Sequence, residues 1–370
     1  MAKKRTNKQV EGGKHNLLSR LSFGTTAALA SGLLLLSCVS LFVNPAKAWF
    51  FTIFGLLYLP FALLVLVLLI WAIIRRSRTA GLLFLALIPS FFLTGRYFQF
   101  SAPSGLPEPT LRVVSYNVGL FTHPKDGTTG RMALADSVCA YLGRLDADVI
   151  CLQEFYLPNG QSTAEYLQQK FPLYRAEYYV LTGSSGHAGN VTLSRKPVRG
   201  KGKIDFDRST NLALYTDIAL DSSVVRFYNC HFESYNISPS RVVKGAGDDA
   251  LMEETGRKMR RSIRERPIQV EEVLRNVEQA PVQSAVLGDF NDNPLSYTCF
   301  RLLRGRRDSF VRAGRGFGAT YRTLWPLLRI DYILYPPCMD AVSYTVDRKA
   351  PYSDHYPVIC TYYETGRNLR

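Results

Sequence analysis

The first hundred residues contain a single acidic residue, Glu11, against eleven Lys and Arg. So one-sided a balance excludes an ordinary soluble domain there, because soluble surfaces mix both signs. Other signals are missing as well. No CxxC or Cys/His spacing of a zinc site occurs, and no GxSxG nucleophile motif. There is no internal repeat and no low-complexity tract. Histidine is scarce, five in 370 residues. Of seven cysteines, Cys38 sits in an apolar stretch and six follow it (Cys139, Cys151, Cys230, Cys299, Cys338, Cys360). Their spacing predicts no disulfide, and Cys151 and Cys230 read as small buried hydrophobes within strand-like runs.

Apolar runs, by contrast, are long. Residues 21–46, 48–74 and 79–95 are uncharged. The first two exceed the minimum of about 17 residues needed to cross a bilayer, and the third meets it. The reading is a membrane anchor over 21–100 with three transmembrane helices, Pro60 being tolerable inside a packed membrane helix. Lys3, Lys4, Arg5, Lys8, Lys14 and Arg20 precede the first stretch; Arg75, Arg76 and Arg78 follow the second; the loop between them carries only Lys47. The positive-inside rule then makes 1–20 a basic cytoplasmic N-terminus. The third span delivers the rest of the chain outside, the periplasmic side in a Gram-negative cell.

Residues 101–370 hold thirty-four Lys and Arg and twenty-nine acids, a balance suited to a soluble domain. The segment 101–110, SAPSGLPEPT, reads as a linker, which leaves a domain over 111–370. Its β-rich runs are LRVVSYNV, ADVICLQE, GNVTLSR, LYTDIAL, VVRFYNCHF, SAVLGDF, RIDYILY and YPVICTYYE. They alternate with helical patterns over 131–145, 163–171, 249–279 and 295–305. That mixture predicts two packed sheets with helices outside.

Six of these runs end in, or begin from, groups that bind metals or phosphate: Asn117, Glu154, Asn229 with His231, Asp289 with Asn291, Asp331 beside Arg329, and Asp354 with His355. A polar residue at one strand end is ordinary. Six such ends, holding two of the five histidines, point to a shared cleft. A thiolate-free, carboxylate-rich site suits a hard ion, Mg²⁺ or Mn²⁺. Such an ion polarises a phosphoryl oxygen, an Asp accepts a proton from attacking water, and a histidine tied to an Asp is held in one tautomer. The residues present no covalent nucleophile, which favours direct attack by water.

The motifs SYNV, LQE, GNVTLSR, NCHF, GDFND, RIDYIL and SDHYPV, in this order, resemble the endonuclease/exonuclease/phosphatase superfamily, the fold of DNase I and exonuclease III-type enzymes. The resemblance covers 111–364. It implies an α+β fold, a four-layer α/β/β/α sandwich, here preceded by the three transmembrane helices. It also implies Glu154 as principal metal ligand, helped by Asn117, with Asp354 a further metal or base candidate. Asp289 and Asn291 would position and activate the water or hold a second ion. His355 would contact the scissile phosphate, oriented by Asp331. His231 matches the family's middle-strand histidine, and Asn229 and Arg329 are expected to reach the substrate. Ser194 and Arg195 are also expected near the cleft, while Asp292, Asn293 and Pro294 shape the loop exit.

The implied activity is a membrane-anchored, metal-dependent phosphoesterase. Its substrate would be a phosphodiester in nucleic acid or a lipid headgroup, or alternatively a phosphomonoester such as an inositol phosphate. A non-catalytic binding module of the same fold would show decay of a key acid or histidine, and the sequence shows none. Two basic clusters, 257–266 and 301–315, read either as solvated faces or as contacts to an anionic partner.

Overall fold

The computed structural model describes residues 22–366, apart from 124–129, 208, 236, 238–244, 246 and 324–325. The basic segment 1–20 lies outside the described residues. Helix α1 (Ser22–Phe42) and the segment Thr79–Arg96, formed by α4 (Thr79–Leu93) and a closing 3-10 turn, are long and apolar enough to cross a membrane. The expected middle span is broken. It splits at Leu57 into α2 (Phe51–Leu56) and a shorter α3 (Tyr58–Ile74). Just before the break the chain packs closely at Gly55, where a Cβ would lie 2.6 Å from Ser40 Oγ and 3.1 Å from the Leu295 carbonyl. Pro60 falls in the first turn of α3, where a missing N–H leaves no helical bond unmade.

Twelve strands among the described residues build two six-stranded sheets. In chain order they are β1 (Leu111–Asn117), β2 (Val149–Pro158), β3 (Arg175–Thr182), β4 (Gly186–Ser194), β5 (Val198–Asp205), β6 (Leu212–Ala219), β7 (Val224–His231), β8 (Gln283–Asp289), β9 (Arg307–Asp308), β10 (Asp331–Tyr335), β11 (Met339–Val346) and β12 (Val358–Glu364). One sheet runs β11-β12-β1-β2-β4-β3 and the other β9-β10-β8-β7-β6-β5. Each holds one parallel pair at its centre, β1 with β2 and β7 with β8; the other pairings are antiparallel.

Alternation along each strand sends one set of side chains between the sheets and the other outward. Val113, Cys151, Phe227, Leu287, Ile333 and Cys360 fill the space between the sheets. The outward set of the first sheet (Val114, Tyr116, Ile150, Leu152) is covered by α5 (Arg131–Arg144) and α6 (Thr163–Lys170). The outward set of the second (Tyr228, Cys230, Val286, Tyr332) is covered by α7 (Asp249–Glu278) and α8 (Tyr297–Leu302). The result is the expected helix, sheet, sheet, helix layering. All seven cysteines are buried and free, Cys151 and Cys230 among them.

Residues 101–109 carry no helix or strand, as a linker should. The domain nevertheless takes hold of the chain earlier. Phe98 and Gln99 pair with Phe317 and Gly316 in a short antiparallel ribbon, and Phe42 meets Phe300 edge-on at 4.8 Å. The apolar helices therefore pack directly on the domain through the face that carries α8.

Candidate active site

Along the inner faces of the sheets, polarity rises in steps toward one end. Apolar residues give way to a layer of buried amides and hydroxyls, Ser115, Gln153, Thr192 and Asn229. Beyond them, on the same faces, come Asn117, His231, Asp289 and Asp331. Strand pairing dictates the meeting: His231 lies opposite Asp289 in β7 and β8, and Asp331 opposite Asp289 in β10 and β8. One sheet supplies Asn117 and Glu154, and the other supplies the remainder.

Glu154 reaches the site because β2 is bulged. One extra residue lies between Leu152 and Phe155, and Glu154 takes a left-handed backbone, φ +52°. Strict alternation from Ile150 and Leu152 would have aimed Glu154 into the outer apolar layer; the bulge re-aims it. Asp289 is oriented by its own turn, with Oδ1 accepting the Asn291 N–H at 2.8 Å. Its Oδ2 accepts from the Asn117 amide at 2.9 Å and the Asn291 amide at 3.2 Å. Asn117 also donates to Glu154 Oε1 at 3.0 Å, so a single amide spaces the two carboxylates. Gly288 just before has φ +125°, and a Cβ there would stand 2.0 Å from the Cys230 carbonyl, so no other residue fits.

Two imidazoles flank Asp289. His231 Nε2 lies 3.5 Å from Glu154 Oε1 and 3.8 Å from Asp289 Oδ2, buried and without a hydrogen-bond partner. His355 Nε2 lies 3.8 Å from the same Asp289 oxygen, while its Nδ1 faces Asp331 at 2.9 Å. Asp331 is held in turn by its backbone N–H on the Thr320 hydroxyl. Burial lowers the His355 pKa, but the Asp331 and Asp289 carboxylates outweigh it and lift it to about 10. Burial pushes the Asp289 carboxyl up to about 6, with Asp331 acting the same way against His355 and His231.

Glu154, His231 and Asp289 bring donor atoms together closely enough to share one cation, and so do Asp289, Asp331 and His355. The first group has the better chemistry for a hard ion. Two carboxylates converge there, Glu154 is partly open to solvent, and the buried His231 nitrogen lacks a partner. The residues therefore fit a divalent cation.

A family model described as the Endonuclease/Exonuclease/phosphatase family matches residues 114–355. The chain belongs to that family. This enzyme is thus a metal-dependent hydrolase of phosphoester bonds. A second model, a domain of unknown function (DUF8431), matches residues 19–97, the apolar helices. Among solved structures, the human Nocturnin catalytic domain with bound sulfate anion aligns at 15% identity and TM-score 0.50, over 72% of this chain and 97% of that one. An endonuclease/exonuclease/phosphatase from Beutenbergia cavernae aligns at 18% identity and TM-score 0.48, over 70% of this chain and 72% of that one. TDP2 from D. rerio, complexed with a single-strand DNA product, aligns at 20% identity and TM-score 0.47, over 68% of this chain and 98% of that one. The Nocturnin alignment supports the sandwich fold. No curated protein matches the chain significantly.

Seven of the ten expected site residues cluster in this enzyme: Asn117, Glu154, His231, Asp289, Asn291, Asp331 and His355. Asp354 lies outside both potential cation groups; its carboxylate stands 3.4 Å from the Ser353 hydroxyl. Two expectations are corrected. Arg329, only 2% exposed, forks onto Asp308 at 2.8 and 2.6 Å and lies between the Phe310 and Tyr332 rings, so it holds the fold and not the substrate. Asn229 is fully buried and ties the sheets together: its amide donates to the Leu152 and Val191 carbonyls, and its oxygen accepts from Gln153. Ser194 and Arg195 end an antiparallel strand opposite Val149, at the far end from Glu154. Their partners, the Lys196 carbonyl and Asp146, lie at that end too.

Sequence reasoning missed Arg266, Thr320 and Tyr321. Arg266 is 1% exposed, donates to the Glu233 carbonyl and faces Asp292 Oδ2 at 3.2 Å, bracing the Asp289 loop from behind. The Tyr321 ring meets His355 edge-on at 5.1 Å. Arg266 was legible only as part of a basic run, and nothing in the sequence singled out Thr320 or Tyr321. Asp292 and Asn293 shape the loop exit as expected, Asn293 accepting the Leu295 N–H at 2.8 Å.

Proposed function

We propose that this hydrolase is a membrane-anchored phosphodiesterase, dependent on Mg²⁺ or Mn²⁺, acting by direct water attack on a phosphodiester of a lipid headgroup. The observation that carries the chemistry is the convergence of Glu154, His231 and His355 on the Asp289 carboxylate. Glu154, with Asp289 or Asn117 beside it, would hold the cation. Bound there, the ion supplies positive charge against the negative charge that grows on the phosphoryl oxygens. Asp289 takes the proton of the attacking water, and its depressed acidity suits a base working near neutral pH. Asn291 acts on Asp289 rather than on water, since its amide is engaged by the Phe232 carbonyl and Asp289 Oδ2. His355, kept protonated by Asp331, donates from Nε2 to a phosphoryl oxygen. The unpartnered His231 nitrogen faces the Glu154 and Asp289 oxygens and would join them in holding the cation.

Two observations favour a lipid over a nucleic acid. The loop that follows Asp289 packs against the apolar helices, with Arg96 donating to the Pro294 carbonyl at 3.2 Å. Three of the six arginines of the basic cluster 301–315, which could have met a polyanion, face acids of the domain itself: Arg301 binds Glu271, and Arg307 and Arg312 face Asp340. An outward-facing domain is part of the same proposal, supported by the basic residues at the far end of α3. Arg75, Arg76 and Arg78 lie one α3 length, roughly 25 Å, from the end of that helix that meets the domain.

The test uses the full chain in detergent or vesicles with Mg²⁺ or Mn²⁺, against choline-headgroup lipid vesicles, DNA, RNA and inositol phosphates, with EDTA as control. Asp289→Asn should lower turnover by about 10²–10⁴-fold in a folded protein. Hydrolysis confined to DNA or RNA, or to inositol phosphates, would refute the lipid assignment. EDTA-resistant turnover would refute the cation's role.

A further inference from the structure

Tyr97 follows the 3-10 turn that ends the last apolar segment. Its ring stacks on Tyr58, the first residue of α3, with centroids 5.7 Å apart and planes within 14°. Its hydroxyl donates to Asn293 Oδ1 at 3.2 Å, and its carbonyl accepts from the Gly318 N–H at 3.2 Å. One residue thus touches both loops that frame the site. Asn293 belongs to the loop that leaves Asp289 and is continued by the Arg96 bond to Pro294. Gly318 leads to Thr320, whose hydroxyl accepts the N–H groups of Ile330 and Asp331 at 3.1 Å each, and to Tyr321 against His355. Phe98 and Gln99, next along the chain, pair with Phe317 and Gly316 just ahead of that loop.

The Asp289 loop is also tied to the strand that carries Asp331, by the Phe290 N–H on the Ile330 carbonyl at 2.8 Å and the Tyr332 hydroxyl on the Asp292 carbonyl at 2.9 Å; Tyr97 adds the tie that comes from the apolar helices. The spacing between the Asp289 loop and the His355 side of the site decides how far the base stands from the phosphate contact, and a misplacement of about 1 Å can cost 10²-fold in rate. We propose that Tyr97 is a positioning residue that locks both active-site loops to the membrane helices, so that hydrolysis depends on the anchor being seated on the domain. The domain is then not a head that works independently of its tether. Tyr97 touches neither the cation nor the phosphate; it acts through Asn293 and Gly318.

Tyr97→Phe in the full chain removes only the hydroxyl and keeps the ring against Tyr58. Amide hydrogen exchange should quicken in 289–296, while 318–321, still held by the Tyr97 carbonyl, and β6 and β7 keep their wild-type rates. On a chromogenic phosphodiester, kcat should fall about 10-fold with KM unchanged. Asn293→Leu, which also removes the acceptor of the Leu295 N–H, should produce at least that fall, and the double variant should be no slower than Asn293→Leu alone, because the Tyr97 bond is already gone. Asn293→Leu reads that bond from the domain side should Tyr97→Phe fail to fold. Unchanged exchange in 289–296, or additive losses in kcat, would overturn the coupling. The kinetic arm rests on the hydrolase reading and the exchange arm does not. Wild-type protein inert toward every phosphoester would count against the function, and the exchange result would still decide the role of Tyr97.

Discussion

Replacing Arg329 with Met separates a structural arginine from one that binds phosphate. The guanidinium is 2% exposed, donates two hydrogen bonds to Asp308 and has an aromatic ring on each face. Met fills much of the slot between Phe310 and Tyr332 but leaves the Asp308 carboxylate, 9% exposed, without its counter-charge. Breaking one side of a buried pair typically costs about 3–5 kcal/mol, because the remaining charge stays desolvated. At roughly 2–4 °C per kcal/mol for a domain of this size, Tm should fall by about 6–20 °C. Asp308 also accepts the Phe310 N–H at 3.0 Å, capping the short helix that follows. Asp308→Asn keeps that acceptor and removes the charge, so the double variant Arg329→Met/Asp308→Asn should recover part of the loss. Thermal unfolding of the full chain by circular dichroism gives Tm, and turnover well below the transition gives activity per folded molecule. That activity should stay within about 3-fold of wild type, since no active-site group is touched. An Arg329→Met protein with wild-type Tm but a collapsed kcat/KM would refute the argument and return Arg329 to the substrate.

Three further outcomes follow from the same geometry. Gly288→Ala must displace the Cys230 carbonyl, which a Cβ would approach to 2.0 Å, and so shift both Asp289 and His231; turnover should drop by about 10²-fold and stability by about 1–3 kcal/mol, read by kinetics and by denaturant melts. In cation-free protein the His355 imidazole should titrate near 10 by NMR and move down in Asp331→Asn. Because its folded pKa is raised, the stability it contributes is complete below its ordinary value of about 6.5 and is lost as pH rises toward about 10, which urea melts across that window should show. Finally, the cysteine thiols, all buried and free, should resist alkylation by a bulky maleimide until denaturant unfolds the domain; rapid labelling of any of them in native protein would contradict the packing.

The strands that sequence reasoning located lie in the middle of the sheets, and the four it failed to locate, β3, β5, β9 and β11, are edge strands. A central strand buries both faces and must be written in Val, Ile, Leu, Cys and Tyr, as VICLQEF and SAVLGDF are. An edge strand such as VRGKGKID keeps half its side chains in water, so Lys and Gly dilute the pattern. The apolar helices show the same division. Apolar length was legible, whereas the close approach of Gly55 to Ser40 and Leu295 is a contact between segments far apart in the chain.

For the site, the sequence by itself determined which chemical groups stand at the ends of which strands, because a carboxylate or imidazole after an apolar run is a local fact. It also determined the charge asymmetry between the first hundred residues and the rest. Only the tertiary structure decided which of those groups meet. Asn229 and Arg329 satisfied the same local description as His231 and Asp331, yet one lies a layer deeper between the sheets and the other points into an aromatic slot. Glu154 reaches the site through a bulge, and Asn293 accepts a hydrogen bond from Tyr97, at the end of the apolar helices. The physical reason is range: pattern and propensity act over a few residues, whereas burial and partnership are set by strands that pair across gaps of tens or hundreds of positions.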